Sequence, residues 1–173
     1  ASGKTSTLNT LLSLVPSYHR IISIEDVREI ILPVYLNWNW IPMITRSANP
    51  EGLGEVTMLD CMVSSLRMRP DRIIVGEIRH EEAFTLFTAI NTGHDGCLGT
   101  VHANSPEETL IRVTSPPMNV PQIMLAGLDL VIVEHRYYDR KKGTIRRLSQ
   151  IAEVYGGLEG KPKTNVVFER DPV

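Results

Sequence analysis

Apolar and polar positions along the chain change period repeatedly, and each change marks an element. Over KTSTLNTLLSL (4–14), Leu8, Leu11, Leu12 and Val15 recur at helical spacing until Pro16, which predicts a helix with one apolar stripe. RIISIED (20–26) runs apolar and β-branched into two acids, the pattern of a short buried strand. No period holds from Val27 to Asn39, and Pro33 interrupts it, so that stretch is predicted to be loop. WIPMIT (40–45) reads as a strand that Pro42 confines to a sheet edge or a bend. NPEGLG (49–54) is a turn cluster. TMLDCMVSSLRM (57–68) is an amphipathic helix stopped by Pro70, with Cys61 and Met62 on its core face. RIIVGE (72–77) is a strand ending in an acid, EEAFTLFTAINTG (81–93) a helix closed by Gly93, and CLGTVHA (97–103) a strand. SPEETLIRVTS (105–115) opens with Ser105 as N-cap, Pro106 at the first helical position and two glutamates in the first turn. VPQIMLAGL (120–128) predicts a further short helix. LDLVIVEHRYY and TIRRLSQIAEVY flank the charged turn DRKKG as a β-hairpin, GGLEGKPK (156–163) is loop, and NVVFER (165–170) is a last edge strand.

Short apolar strands alternating with helices of about a dozen residues predict an α/β protein with a mainly parallel sheet flanked by helices. Ligands of such sheets bind at the carboxyl ends of the strands. Here those ends carry Glu25-Asp26, Gly76-Glu77 and His102. Composition adds little beyond this: 173 residues, 42% hydrophobic and 22% charged, describe an ordinary globular chain. A formal net charge of -2 gives no whole-chain attraction to nucleic acid or anionic lipid. The RKKGTIRR stretch of the hairpin is basic locally, and reads equally as a solvated turn. Apolar runs such as LDLVIV are far short of the ~20 residues a membrane-spanning helix needs. With Cys61 and Cys97 outside any CxxC pair, a reducing, cytoplasmic setting is expected.

The chain begins ASGKTSTLNT, and Gly3-Lys4-Thr5 matches the second half of the phosphate-binding loop G-x-x-x-x-G-K-[ST]. In that loop backbone N–H groups surround phosphates, the lysine reaches the β and γ oxygens, and the hydroxyl ligates Mg²⁺. Hydrolysis of ATP needs a phosphate cradle, a cation, an oriented water and charge neutralisation. Lys4 and Thr5 fit the first two. Glu77 has two readings, a solvated or helix-capping acid, or an acid that polarises water or holds Mg²⁺ through a water. Glu25 and Asp26 divide the same way. His102 is either a packed histidine or a hydrogen-bond donor to a γ-phosphate. His94, Cys97 and His102 in H-x2-C-x4-H supply only three ligands, so zinc is not expected. Trp38 and Trp40 read as packing residues of their loop, with a partner contact as the alternative for an exposed tryptophan.

These residues together resemble the C-terminal, RecA-like motor domain of the secretion ATPase superfamily, which powers type II and type IV secretion, pili and the archaellum. ASGKTSTLN resembles the back half of the Walker A loop, and IISIEDVREI the aspartate box. LRMRPDRIIVGEIRHEEA resembles the Walker B region, with Glu77 in its glutamate position, and TGHDGCLGTVHANSPEE the histidine box, with His102 in its functional position. The resemblance covers Ala1 to about Tyr155 and implies a RecA-like P-loop NTPase core over residues 1–136, followed by a C-terminal hairpin and tail over 137–173. Through it Ser2, Gly3, Lys4, Thr5 and Ser6 are expected to bind ATP and Mg²⁺, Glu25 and Glu77 to share water and metal, Asp26 to belong to the aspartate box, and Arg46 to be a trans-acting arginine candidate. It also implies a homo-hexamer at the cytoplasmic face of the membrane, working with an inner-membrane platform protein. His80 stands where many members have Asp or Gly, and a four-cysteine zinc insert is missing, which tilts the likeness to the archaeal and type IV secretion branches. The first half of the Walker A loop and the strand feeding it are also missing, so the sequence reads as a piece of a longer chain, inactive in isolation. A RecA-like DNA-translocating ATPase and a non-hydrolysing nucleotide-binding scaffold are the rival readings.

Overall fold

The computed structural model describes residues 2–156 and 161–171, and these fall into two compact units. The first, residues 5–101, is built on four parallel strands in the order β2-β1-β3-β4. These are β1 (Ile21–Glu25), β2 (Trp40–Ile44), β3 (Arg72–Val75) and β4 (Leu98–Gly99). β1 is hydrogen-bonded on both sides and buried at all five positions, as a central parallel strand must be when helices cover both faces. β2 lies at the sheet edge, where its Pro42 is tolerated.

Helix α1 (Lys4–Leu12) places Leu8 and Leu12 one turn apart, so both point into one cluster with Ile21, Ile30, Leu32, Leu36 and Ile74. Helix α2 (Met58–Leu66) starts with a capping box: the Thr57 hydroxyl accepts from the Asp60 N–H at 3.1 Å, and Asp60 accepts from the Thr57 N–H at 2.8 Å. Thr57→Ala is expected to cost about 1 kcal/mol, read as a lower urea midpoint at unchanged slope. Cys61 and Met62 are buried, as the apolar stripe predicts. Burial also raises the Cys61 thiol above its ordinary value. Helix α3 (Glu82–Asn91) completes this unit.

Two readings need correction here. The stretch expected to be loop up to Asn39 forms a 3₁₀ helix over Val34–Asn39, with the Leu36 N–H donating to the Pro33 carbonyl at 2.9 Å. Its two turns bury one side chain, Leu36, and so leave no period to read. The strand expected over 97–103 is only β4, because its two residues alone pair with Ile74 and Val75. Past Gly99 the ladder gives way to bonds with the segment after β3: Thr100 accepts from the Ile78 N–H through its carbonyl and donates its hydroxyl to the Gly76 carbonyl.

The second unit comprises residues from 102 onward together with those up to Lys4. Helix α4 (Pro106–Thr114) begins as predicted, Ser105 accepting from the Glu108 N–H at 3.1 Å. The predicted short helix is a 3₁₀ helix over Gln122–Gly127. Both pack on an antiparallel sheet of β5 (Leu130–Asp139), β6 (Gly143–Gly156) and β7 (Pro162–Glu169), in that order. The hairpin forms as predicted, with a bulge at Val133/Glu134. Pro162 and Lys163, read as loop, begin β7, and residues 157–160 of that loop lie outside the described residues.

Candidate active site

Strands β1 and β3 carry the predicted acids at or just past their carboxyl ends. Glu25, the last residue of β1, is 2% exposed. Its Oε1 accepts from the backbone N–H groups of Glu29 and Ile30, each at 2.8 Å. Its Oε2 is buried and has no partner among the described residues. A desolvated carboxylate oxygen left unsatisfied costs ~1–3 kcal/mol or more, which a water or a cation at that atom would offset. Glu29 closes the arrangement from the other side, because its Oε2 accepts from the Thr5 hydroxyl at 2.9 Å. Asn9 of α1 bonds the same loop twice, donating to the Glu29 carbonyl and accepting from the Ile31 N–H. Thr5, Glu29 and Glu25 thus form one connected network at the start of α1. Asp26 stands outside it, exposed, accepting from the Thr45 hydroxyl at 2.8 Å.

Gly76 follows β3 and explains how Glu25 fits. A Cβ there would stand 2.9 Å from Glu25 Cγ, closer than real side chains approach, so only glycine leaves the carboxylate its place. Glu77 comes next and pairs with the exposed Arg79 at 2.5 Å. That pairing raises the Arg79 guanidinium above its ordinary value. The turn holding both is fixed by Glu82, a buried acid of α3 whose Oε1 accepts from the Arg79 and His80 N–H groups at 2.7 and 2.9 Å. Arg46 is exposed and donates its Nε–H to the Gly54 carbonyl at 2.6 Å, folded onto its own loop.

In the second unit Gly3 takes φ +116°, a left-handed conformation that glycine alone adopts without strain. Its neighbours are Glu134 and Arg146 of the hairpin. Ser2, Lys4 and Thr5 are half-buried and Ser6 is exposed. His102 is exposed, three residues past the end of β4. The residues sequence reasoning missed are Glu29, Glu82 and Thr100, and it gave Gly76, named only as a strand end, no role beside Glu25. Glu82 had a legible signal, an acid in a first helical turn just after a strand-end loop; Glu29 had none. Trp40 packs as expected, its Nε1–H donating to Ser23 and its ring lying under Arg28, whereas Trp38 is 69% exposed and donates its Nε1–H to the Ser17 carbonyl. Cys97 donates to the His94 carbonyl, and burial pushes its thiol up to about 11. The described residues contain no group of three or more His, Cys, Asp or Glu side chains arranged to hold a metal ion.

The oxygen donors at the Thr5–Glu25 network suit a hard cation that keeps several waters, as Mg²⁺ does with nucleotide phosphates. A parallel sheet with a Gly-Lys-Thr helix start and acids at its strand ends is the RecA-like P-loop NTPase core. The chain belongs to the family described as type II/IV secretion system protein, whose model matches residues 1–143. An uncharacterized protein of Methanocaldococcus jannaschii is 41% identical over 99% of the chain and 60% of its own length. A putative conjugal transfer protein of Mycobacterium tuberculosis is 36% identical over 98% of the chain and 48% of its own length. The VirB11 ATPase of the Brucella suis type IV secretion system, solved with sulphate, superposes with a TM-score of 0.73 at 29% identity, over 88% of this chain and 45% of that one. The chain therefore spans about half the length of the relatives it matches. Among the described residues no helix is long and apolar enough to cross a membrane.

Proposed function

We propose that this chain is the nucleotide-hydrolysing domain of a Mg²⁺-dependent ATPase that powers secretion or the assembly of a pilus-like filament. It works as a homo-hexameric ring at the cytoplasmic face of the membrane, against a platform protein of the machine. The observation carrying the reading is the buried, unpartnered Oε2 of Glu25 beside the Thr5–Glu29 bond. Ser2, Gly3, Lys4 and Ser6 hold the phosphates, Thr5 and Glu25 the hydrated cation. When bound, Mg²⁺ neutralises charge on the β and γ oxygens. Glu77 orients the attacking water after exchanging its Arg79 partner, and His102 donates to the γ-phosphate. Arg46 is the candidate guanidinium for a neighbouring protomer's site.

The test is phosphate release by the full-length protein with Mg·ATP, against a Lys4→Ala variant and an EDTA control. Turnover in the parent that falls by at least ~100-fold in both controls supports the reading. A parent that neither binds nor hydrolyses ATP refutes it. For His102→Ala a smaller loss is expected, ~10-fold in turnover, together with a narrowed preference for ATP over ADP. Equal ATP and ADP affinities in parent and variant would remove His102 from the γ-phosphate.

A further inference from the structure

His135, in β5, has no part in the site described so far, yet it is bonded to the histidine loop. Its Nε2 lies 2.9 Å from the Asn104 carbonyl oxygen. A carbonyl only accepts, so Nε2 carries the proton and donates. Nδ1 lies 3.2 Å from the Tyr137 hydroxyl oxygen, within hydrogen-bond distance, and the two rings meet edge to face with centroids 5.8 Å apart. The imidazole is held on both nitrogens. Asn104 is also held from its other side: its backbone N–H and its side-chain amide both donate to Glu108 Oε2, at 2.9 and 3.0 Å. Those bonds keep the Glu108 carboxyl below its ordinary value, the backbone bond being the larger cause.

His102 is two residues upstream of Asn104, and a chain spans at most ~3.6 Å per residue. Fixing the Asn104 peptide therefore confines the His102 backbone to a small volume. The preceding residue in β5, Glu134, faces Gly3: its Oε2 lies 3.5 Å from the position a Gly3 Cβ would take, and Arg146 of β6 lies 3.8 Å from it. Successive side chains of a strand point to opposite faces, so Glu134 and His135 diverge; the register shift beside Glu134 leaves Ser149 as the extra residue of β6. Consecutive residues of one strand thus reach the phosphate-loop glycine and the histidine loop.

We propose that His135 is a positioning residue that holds the His102 loop in place through the Asn104 carbonyl, and that the β5–β6 hairpin thereby ties that loop to the phosphate loop. The proposal rests on the nucleotide site described above for its effect on turnover, but not for its effect on the loop.

The test compares His135→Leu, His135→Gln and Tyr137→Phe in the full-length protein. Glutamine keeps an N–H donor near the Nε2 position, and leucine keeps only bulk. Amide hydrogen exchange over residues 103–105, without nucleotide, reads the loop directly. Steady-state kinetics read its consequence. For His135→Leu, exchange there is expected to rise ~10-fold and kcat to fall ~10-fold with KM within ~2-fold, since misplacing a catalytic group lowers the rate more than binding. His135→Gln restores both to within ~3-fold of the parent, and Tyr137→Phe shifts exchange in the same direction by a smaller factor. Unchanged exchange in His135→Leu, or glutamine as impaired as leucine, overturns the donor role. Should the leucine variant not fold, unchanged exchange in Tyr137→Phe overturns it. A parent without hydrolysis refutes the ATPase reading alone, and the exchange pattern still decides the role of His135.

Discussion

Glu77→Gln is expected to leave ATP binding intact and to lower turnover by at least ~100-fold, the loss typical of removing an acid or base from hydrolysis. The substitution keeps size and shape and removes only charge. Glu77 is 31% exposed and its partner Arg79 57%, so the ion pair itself contributes little, ~0–1 kcal/mol after solvent screening. The turn is held instead by Glu82, which the substitution does not touch. A fall in turnover therefore cannot be attributed to unfolding. Nucleotide affinity by fluorescence and phosphate release, measured on the same preparation, make the check. Near-normal turnover with undiminished binding would place Glu77 outside the chemistry.

Gly76→Ala is expected to cost ~1–3 kcal/mol of stability and at least ~10-fold in turnover, although the added group is one methyl. The new Cβ would meet Glu25 Cγ at 2.9 Å, with Glu25 Cβ and the Ile24 carbonyl oxygen each at 3.5 Å. Glu25 cannot swing aside, because two backbone N–H groups hold Oε1 and the residue is buried. β1 and β3 must spread, moving the carboxylate with them. Gly156→Ala is the matched control, with nothing among the described residues within 4 Å of its added Cβ, and should stay within ~0.5 kcal/mol. Urea denaturation and phosphate release read both effects. Equal stability of the two variants would show that the sheet absorbs the methyl and that Gly76 is not a spacer.

What the sequence made legible follows from the range of the interactions involved. α1, α2, α3 and α4 announce themselves through period and caps, since both are set by residues within a few positions of one another. β1 and β3 are legible because burial on both faces makes their runs continuously apolar. β4 is misjudged in length because a strand ends where its neighbour stops pairing, which no local pattern encodes. The 3₁₀ helix at Val34–Asn39 is too short for a period. At the site, Lys4, Thr5, Glu25, Glu77 and His102 are prominent because their types are reactive and stand at strand or helix ends. Glu29 looks like an ordinary surface acid, and the first-turn position of Glu82 does not reveal its partners; only the fold brings one to the Thr5 hydroxyl and the other beneath the Arg79 and His80 amides.

The unpartnered oxygen of Glu25 bears on when the dehydration of the site takes place. A carboxylate on a surface loop sheds its water only as the ligand arrives, and part of the attraction is consumed in doing so. Glu25 Oε2 is stripped of solvent when β1 is enclosed by its neighbours, during folding. Its desolvation is charged to the stability of the sheet and not to the affinity of the site. A cation or water meeting that oxygen finds an acceptor already bare and fixed in direction, and its arrival relieves the sheet of an unmet charge. Ligand and fold are therefore thermally linked through one atom, so that saturation with nucleotide should raise the melting temperature of the parent more than that of Glu25→Gln.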